Sequence, residues 1–348
     1  MQTVFVGLSG GVDSAVSAAL LKEQGYHVTG AFIKIWSPEF LECTWREDRL
    51  DAMRVCVALE IPFREIDLSR EYRDMVVGDM IENYRRGITP NPDVLCNRQV
   101  KFGAFSSWAF AEGATLVATG HYAQVEQRGN VYSLLRGGDR AKDQSYFLYT
   151  LGQDDLRRTL FPIGGYEKRE VRALAKRFDL PVAQKHDSQG LCFVGDVSLP
   201  EFLGRFILLA PGHVIDETGR EIGTHDGAAL YTKGQRHGIH APGGPHFVTR
   251  IDIETNTVFV STKREEALSR EAVIPAMHWI EGAPTLPITC STLSRYRGEM
   301  AQAGFTSSAE GTRVVFDDPQ ILSPGQSLVA YDGERCLGGG VMATMVGE

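Results

Sequence analysis

The chain has 348 residues, more than one core usually serves and enough for two or three domains. No apolar run approaches the roughly 18 residues of a membrane span, and the apolar start is too short for a secretory signal, so a cytoplasmic protein is expected. A net charge of −8 excludes a general nucleic-acid coat, though not an enzyme that meets RNA through a local basic stripe.

Thr3–Val6 reads as a strand, Ser9-Gly10-Gly11-Val12-Asp13-Ser14 as a glycine-rich turn and Ala15–Glu23 as a helix. Adjacent glycines let backbone N–H groups converge on anionic oxygens, and the helix N-terminus adds positive dipole. The turn lacks the Lys-Ser/Thr ending of a Walker A loop and the G-x-G-x-x-G of a dinucleotide fold, so γ-phosphoryl transfer is the less natural chemistry. The string SGGVDS resembles instead the pyrophosphate loop (PP-loop) of the N-type ATP pyrophosphatases. Those enzymes split ATP between the α and β phosphates and adenylate a carbonyl or carboxyl oxygen.

Further along, His27–Phe32 reads as a strand and Asp48–Leu59 as a helix with Leu50, Met53 and Val57 on its apolar side. Phe63–Ile66 is a short strand, and Glu71–Tyr84 carries Tyr72, Met75, Val76, Met80 and Tyr84 at helical spacing. A two-proline loop over Gly87–Asn97, a helix over Val100–Glu112 and a strand over Thr115–Thr119 complete a βαβα alternation. That alternation predicts a parallel sheet with helices on both faces. Ligands then belong at the carboxyl ends of the strands, where Ser9–Ser14, Ile33–Trp36 and Gly120–Tyr122 fall.

Beyond about Gly195 glycine and proline become denser and helical periodicity fades. Turn signals at Pro211-Gly212, Asp216–Gly219 and Ala241–Pro245 separate short β-rich runs, and Ile251–Ser261 reads as a hairpin about Glu254-Thr255-Asn256. Past Arg264, strand-like pieces at His278–Ile280, Ile288–Tyr296, Thr312–Phe316, Ser327–Tyr331 and Cys336–Val346 predict a small β-barrel or sandwich. The expected organisation is an α/β parallel-sheet catalytic domain over 1–199, a small β-rich linking domain over 200–265 and a C-terminal β-barrel over 266–348.

The six cysteines, Cys43, Cys56, Cys96, Cys192, Cys290 and Cys336, include no C-x-x-C pair, which disfavours structural zinc, a cluster or a disulfide framework. No resident metal site is expected. Asn91-Pro92-Asp93 and Cys96-Asn97-Arg98 lie in the proline loop, where Pro90 and Pro92 would hold Asp93 and Cys96 about one turn apart. Arg98 beside the thiol favours thiolate, and Asp93 can steer protons. Read alone, Asp93 fits a helix N-cap and Cys96 a buried small residue better than a catalytic pair. Cys192 follows a charged stretch and a glycine turn, Lys185–Gly190, an odd setting for a core strand.

Lys142-Asp143-Gln144-Ser145-Tyr146 is a basic, amide-bearing loop able to clamp nucleic-acid backbone or stack a base. His121, at the ligand edge, is open to a phosphate contact or a helix cap. Tyr231–Gly238 reads as a substrate contact or a domain-joining turn. Arg85, Arg86, Arg98, Lys101, Lys142, Arg157, Arg158, Arg295 and Arg297 are the candidates for a basic stripe.

Seven segments together resemble one family, the tRNA-specific 2-thiouridylases (MnmA/TrmU), over essentially the whole chain. They are GLSGGVDS at Gly7–Ser14, TPNPDVLCNRQVKFG at Thr89–Gly103, ATGHYA at Ala118–Ala123, KDQSYFLYTL at Lys142–Leu151, DSQGLCFVG at Asp187–Gly195, YTKGQRHG at Tyr231–Gly238 and LGGGV at Leu337–Val341. The resemblance implies a PP-loop (adenine nucleotide alpha hydrolase-like) fold for the first domain. It implies ATP bound by Gly7, Leu8, Ser9, Gly10, Gly11, Val12, Asp13, Ser14, Ile33 and Gly120, with Mg²⁺ accompanying the nucleotide. The C2 oxygen of the wobble uridine in tRNAs of the Lys, Glu and Gln type would be adenylated, and sulfur would then replace it. Cys192 would carry a persulfide supplied by a cysteine desulfurase or a sulfur-relay protein. Cys96 would be the nucleophile that completes transfer, either freeing sulfide from the persulfide or forming a disulfide as sulfur leaves, with Asp93 as acid/base. Asn91, Pro92 and Asp93 would touch the target base; Lys142, Asp143, Gln144, Arg295 and Tyr296 would contact the tRNA.

The chain departs from the family pattern at Leu8 and Ile33, where methionine is common, at His186, often lysine, and at Ser198-Leu199, usually more basic. None removes a catalytic group. Two other readings stand beside this one. A synthetase or amidotransferase with the same loop would not need paired thiols, and a sulfur carrier or tRNA-binding module would not need an intact SGGVDS.

Overall fold

The computed structural model describes residues 2–40, 45–186 and 197–343. The first strands in chain order are β1 (Thr3–Leu8), β2 (His27–Lys34), β3 (Phe63–Asp67) and β4 (Leu116–Ala118). A hairpin of β5 (Ala123–Arg128) and β6 (Val131–Arg136) follows, then β7 (Thr159–Leu160). All but the hairpin pair in parallel in the order β3-β2-β1-β4-β7. β1 sends Val4, Val6 and Leu8 to one face and Phe5 to the other, as strand alternation requires. Helices α1 (Val12–Glu23), α2 (Trp45–Ala58) and Lys168–Arg177 cover the first face; helical residues 69–85 and 92–111 cover the second. Val4, Val6 and Val16 are fully buried between the layers, each contributing about 1.5–3 kcal/mol of transfer free energy. The expected parallel sheet, helix-covered on both faces, is present.

Three local expectations are corrected. The buried side of α2 is Asp51, Ala52, Val55 and Cys56, whereas Leu50 and Val57 face solvent. Two features select that face. A Cβ at Gly30 of β2 would lie 2.4 Å from the Cys56 sulfur, so only small residues fit there. Asp51 can turn inward because Lys185 and Arg54 donate to its carboxylate at 2.7 and 2.9 Å. In residues 69–85 a wide turn over Arg73–Val77 shifts the buried face to Tyr72, Val76, Val77, Met80, Ile81 and Tyr84, leaving Met75 half-exposed. The loop over Gly87–Asn97 is shorter than expected. A helix starts at Pro92, with Asn91 as its N-cap accepting from the Val94 amide at 3.4 Å.

The second half is β-rich, as expected. β8 (Gly212–Ile215), β9 (Glu221–His225), β10 (Phe247–Asp252) and β11 (Thr257–Ser261) form a sheet in the order β10-β11-β8-β9, with β10 and β11 the foreseen hairpin. The remaining strands are β12 (Ser269–Ile274), β13 (His278–Trp279), β14 (Ile288–Leu293), β15 (Ala301–Ser308), β16 (Gly311–Gln320), β17 (Ser327–Asp332) and β18 (Arg335–Val341). They pair in the order β12-β16-β15-β14-β17-β18, with β13 also on β18. The β5–β6 hairpin then adds to β18, Leu134 opposite Cys336 and Leu135 opposite Arg335. Hydrogen bonding thus crosses from the first 199 residues into the last 83. Among the described residues no helix is long and apolar enough to cross a membrane.

Candidate active site

β1 ends at Leu8 and the chain turns sharply, with Gly10 at φ +74°. A Cβ on Gly10 would lie 2.5 Å from the Asp48 carbonyl oxygen, so the turn needs glycine for both conformation and space. α1 begins behind Gly11 with no side-chain cap. The first N–H groups of its opening turn therefore point out of the loop without intrahelical acceptors. Ser14 braces the turn: its hydroxyl accepts from the Ser9 amide, lies 3.2 Å from the Ser9 hydroxyl and donates to the Gly11 carbonyl at 3.2 Å. Gly120, just past β4, is seated on this loop; a Cβ there would be 2.7 Å from the Ser14 nitrogen. The half-buried Ile33 of β2 puts its Cδ1 3.8 Å from the Cβ position of Gly7, closing the apolar flank of the same cleft. The nucleotide-loop residues named from sequence are thus brought together.

Around Asp13 stand Lys168, which sequence reasoning missed, and Tyr122, which it placed at the ligand edge without a partner. Lys168, at the start of the helix Lys168–Arg177, donates to both Asp13 carboxylate oxygens at 2.7 and 2.9 Å. Tyr122 donates its hydroxyl to the same carboxylate at 2.9 Å. The cation absent from the loop's own sequence is supplied 155 residues later. Beneath the loop Lys185 bridges Asp48 and Asp51 at 2.8 and 2.7 Å. It stands two residues before the segment 187–196, and the Cys192 assignment lies outside the described residues.

Asp93 occupies the first turn of the 92–111 helix, and Cys96 opens a wide-turned stretch, Cys96–Phe105. Wide turns of this kind recur at functional sites. Both side chains face inward rather than lying in an open loop. Burial raises the Asp93 carboxyl above the ordinary carboxylate value, and the Lys101 charge opposes that rise. Cys56 and Cys290, by contrast, are buried thiols pushed up to about 11, and Cys336 goes higher still, so these three act as packing residues.

The helix is tied to the expected RNA-contacting loop. Asn97 donates to the Phe147 carbonyl at 3.2 Å, and Tyr146, whose hydroxyl donates to the Ser327 carbonyl at 2.8 Å, also bonds the Asn91 side chain. Gln326 donates to the carbonyls of Thr89 and Pro90, fixing the approach to the helix. Asp143 is buried and holds the loop itself: it pairs with Arg136 at 2.8 Å and accepts from the Gly137 and Ser145 amides. Gln144 accepts from the Tyr122 amide at 3.0 Å, coupling this loop to the strand end that reaches Asp13. Lys142 is half-buried at the loop's tip. The turn bearing Arg295 and Tyr296 meets the same loop through Tyr296 and Phe147, ring centroids 4.3 Å apart, with Arg295 and Arg297 exposed beside it.

Other members of the basic list have internal work. Arg85 donates to the Phe206 carbonyl, Arg157 pairs with Asp154, and Arg158 lies 3.2 Å over the Phe110 ring. The Tyr231–Gly238 loop is a domain-joining turn: Thr232 bonds Thr89 at 2.7 Å, and the Lys233 carbonyl accepts from Ser323. A cavity of about 530 Å³ opens between the 92–111 helix and β17–β18. It is lined from that helix by Asn91, Val94, Leu95, Arg98 and Gln99, but not by Asp93 or Cys96.

Comparison with known proteins places this arrangement. Residues 2–196 match the family described as the tRNA methyl transferase HUP domain, residues 200–262 the tRNA methyl transferase PRC-barrel domain, and residues 269–342 the aminomethyltransferase beta-barrel domain. A tRNA-specific 2-thiouridylase MnmA of Nitrosococcus oceani is 44% identical over 354 residues, covering 98% of this chain and 96% of that one. The Acidovorax ebreus protein of the same name is 44% identical over 368 residues, covering 99% of each. Among solved structures, the U34-tRNA thiolase NcsA from Methanococcus maripaludis is 18% identical with a TM-score of 0.37, over 55% of this chain and 61% of that one. The domain descriptions speak of methyl transfer, whereas the relatives that match 98–99% of this chain are named for thiolation. The chain belongs to the tRNA-specific 2-thiouridylase family.

Proposed function

We propose that the protein is a tRNA-uridine 2-sulfurtransferase: it uses ATP to adenylate the C2 oxygen of a wobble uridine and replaces that oxygen with sulfur. One observation carries the reading. Hydrogen bonds run from Asp13 through Tyr122 and Gln144 into the 142–147 loop, and from there through Asn97 into the helix of Asp93 and Cys96. These bonds support the reading, because they join the proposed ATP loop and the proposed RNA-contacting loop to a thiol-bearing helix. An amide-like C2 carbonyl is a poor electrophile until its oxygen becomes a leaving group, and adenylation supplies that.

In the proposed sequence O2 of the uridine attacks the α-phosphorus, the bond to the β-phosphate breaks and pyrophosphate leaves. The loop amides and the first turn of α1 would hold the phosphates, with Lys168, paired to Asp13, a cation beside them. Among the described residues no group of three or more His, Cys, Asp or Glu side chains is placed to hold a metal. Mg²⁺ would come with the nucleotide, and when bound it offsets charge on the departing pyrophosphate. Asp93 would move the proton that N3 loses as O2 attacks.

Sulfur then bonds to C2 as the C2–O bond breaks and AMP departs. The sulfane sulfur of a Cys192 persulfide must gain two electrons to leave as sulfide. Cys96 supplies them by bonding to the Cys192 sulfur, whether sulfide is freed first or the persulfide attacks directly, and a dithiol reductant resets the resulting disulfide. A cysteine desulfurase or a sulfur-relay protein would load Cys192. Lys142, Arg295 and Tyr296 would contact tRNA of the Lys, Glu or Gln type on a surface shaped by Asp143 and Gln144, while Asn91–Asp93 meet the base. Residues 1–199 would serve catalysis, 200–265 linkage and 266–348 RNA holding, in the cytoplasm, whose reducing conditions suit two reactive thiols.

The test is incubation with ATP, Mg²⁺, a sulfur source and unmodified glutamate-type tRNA, followed by digestion and nucleoside mass measurement. The expected result is one sulfur-for-oxygen exchange at the wobble uridine, absent without ATP. Pyrophosphate release with a small acid or amide and no thiolated nucleoside would replace this reading by a synthetase.

A further inference from the structure

Beneath the nucleotide loop lies an ion-pair cluster to which the mechanism above gives no part. Lys185 donates to Asp48 Oδ1 at 2.8 Å and to Asp51 Oδ2 at 2.7 Å. Both carboxylates belong to the start of α2, and Asp48 is the residue whose backbone lies against Gly10. A Cβ on Gly10 would meet the Asp48 carbonyl oxygen, Cα and carbonyl carbon at 2.5, 2.8 and 3.0 Å. The position of α2 therefore sets the floor on which Gly10 sits. Asp48 and Asp51 are like charges three residues apart on one helix face, an arrangement that repels unless a cation stands between them. Lys185 is such a cation, and Arg54 adds a bond to Asp51 at 2.9 Å.

Lys185 is itself held. Arg172 donates to its backbone carbonyl at 3.1 Å. Arg172 stands one turn along the helix Lys168–Arg177 from Lys168, the residue that grips Asp13. Val171 and Ala175 anchor that helix, fully buried in the core that α1 shares. One helix thus sets a cation at each end of the loop: Lys168 directly at Asp13, and Lys185, through Arg172, beneath Gly10. The side chains of Lys185 and Asp48 are 31% and 33% exposed, and pairs so exposed add little to global stability. Their weight falls on where α2 sits.

We propose that Lys185 is a positioning residue of the nucleotide site: by bridging Asp48 and Asp51 it keeps the start of α2 against Gly10, and so keeps the loop amides in the arrangement that receives the phosphates. It acts through Asp48, not by contact with the nucleotide. Without the ammonium the two carboxylates repel, the first turn of α2 shifts, and Gly10 loses the backbone it rests on. The loop N–H groups then no longer converge on one set of oxygens. The proposal rests on the reading of Ser9–Ser14 as the nucleotide loop.

The experiment measures the Kd for α,β-methylene-ATP with Mg²⁺ and the Kd for unmodified tRNA by calorimetry, in wild type and variants. Lys185→Met should weaken the nucleotide analogue about tenfold, roughly the loss of one charge-assisted hydrogen bond to phosphate, and leave the tRNA Kd unchanged. Lys185→Arg, which keeps the charge, should return the analogue Kd toward the wild-type value. In an Asp48→Ala/Asp51→Ala background, Lys185→Met should change the analogue Kd by less than about twofold, because the lysine then has nothing to act through. Should Lys185→Met not give a folded protein by near-ultraviolet circular dichroism, Lys185→Gln is judged by the same Kd. An unmoved analogue Kd in Lys185→Met, or a full tenfold loss in the background lacking both carboxylates, overturns the proposal alone. A wild type that binds the analogue, with the loss in Lys185→Met, but makes no thiouridine overturns the thiolation reading and leaves this proposal standing. A wild type that does not bind the analogue overturns both.

Discussion

Gly120→Ala tests the seating of the β4 end on the nucleotide loop with the smallest change available. The added methyl would stand 2.7 Å from the Ser14 nitrogen and 2.8 Å from the Asp13 carbonyl carbon, where ordinary contact begins at 3.4 Å. The overlap of about 0.7 Å is with backbone on the loop side, so a side-chain rotation there cannot relieve it. Overpacking of this kind costs about 2 kcal/mol, or ~4–8 °C of melting temperature in a domain of this size. The larger effect should fall on ATP. The atoms that move belong to the first turn of α1, whose N–H groups would face the phosphates. A misplacement near 1 Å costs on the order of 100-fold, so kcat/KM for ATP should fall about 10- to 100-fold. The assay is ATP-dependent pyrophosphate release with tRNA present. Gly304→Ala in β15 is the control, because a Cβ there meets only the Val315 carbonyl at 4.0 Å. A Gly120→Ala protein with wild-type melting temperature and wild-type KM for ATP would refute the seating argument.

Lys168→Met should lower kcat/KM for ATP by about 10- to 100-fold, the worth of a charge-assisted contact, and pairing it with Asp13→Asn in a double-mutant cycle should expose their coupling in thermal melts. Equal, additive losses would show that the two do not act together. Cys192→Ser should permit pyrophosphate release with tRNA but abolish thiouridine, as read by nucleoside mass; normal thiolation would remove the persulfide from that residue. Cys96→Ser should block turnover even when Cys192 is loaded with sulfur, as judged by single-turnover thiolation. Arg295→Ala should reduce the salt slope of tRNA binding by about 0.7 to 0.9, the share of one phosphate contact, and an unchanged slope would turn Arg295 away from the RNA.

The local signals in the chain were legible where one short segment determines its own geometry. The strand, glycine turn and helix of residues 3–23 are such a case, because Gly10 can adopt φ +74° and no partner is needed to see it. The helix start at Pro92 was harder, since Asn91 and Pro92 serve a turn and a helix entry equally well. The inward side of α2 was illegible because Gly30 on another strand and Lys185 on a distant segment decide it. β15 (Ala301–Ser308) offers few large apolar residues and takes its conformation from the strands on either side. At the site, the separate segments were visible but not their joining. Lys168 has no motif about it; it begins an ordinary amphipathic helix and matters only because Asp13 lies across from it. Lys101 and His121 were visible singly, as a basic position and a strand-end histidine, and only the fold makes them a pair.

The addition of β6 to β18 has a consequence for how the protein is made. The hairpin ends at Arg136 and its partner begins at Arg335, so a ribosome adds nearly two hundred residues between them. At roughly 5–20 residues per second, β6 presents an unpaired edge for ~10–40 s in every newborn chain. Leu134 and Leu135 sit on that edge, the kind of surface that pairs with a neighbouring nascent chain if nothing shields it. Among the described residues the last strand in chain order is thus the one that pairs with the hairpin of the first half, and a stop codon before it would leave an adhesive N-terminal fragment rather than a working smaller enzyme.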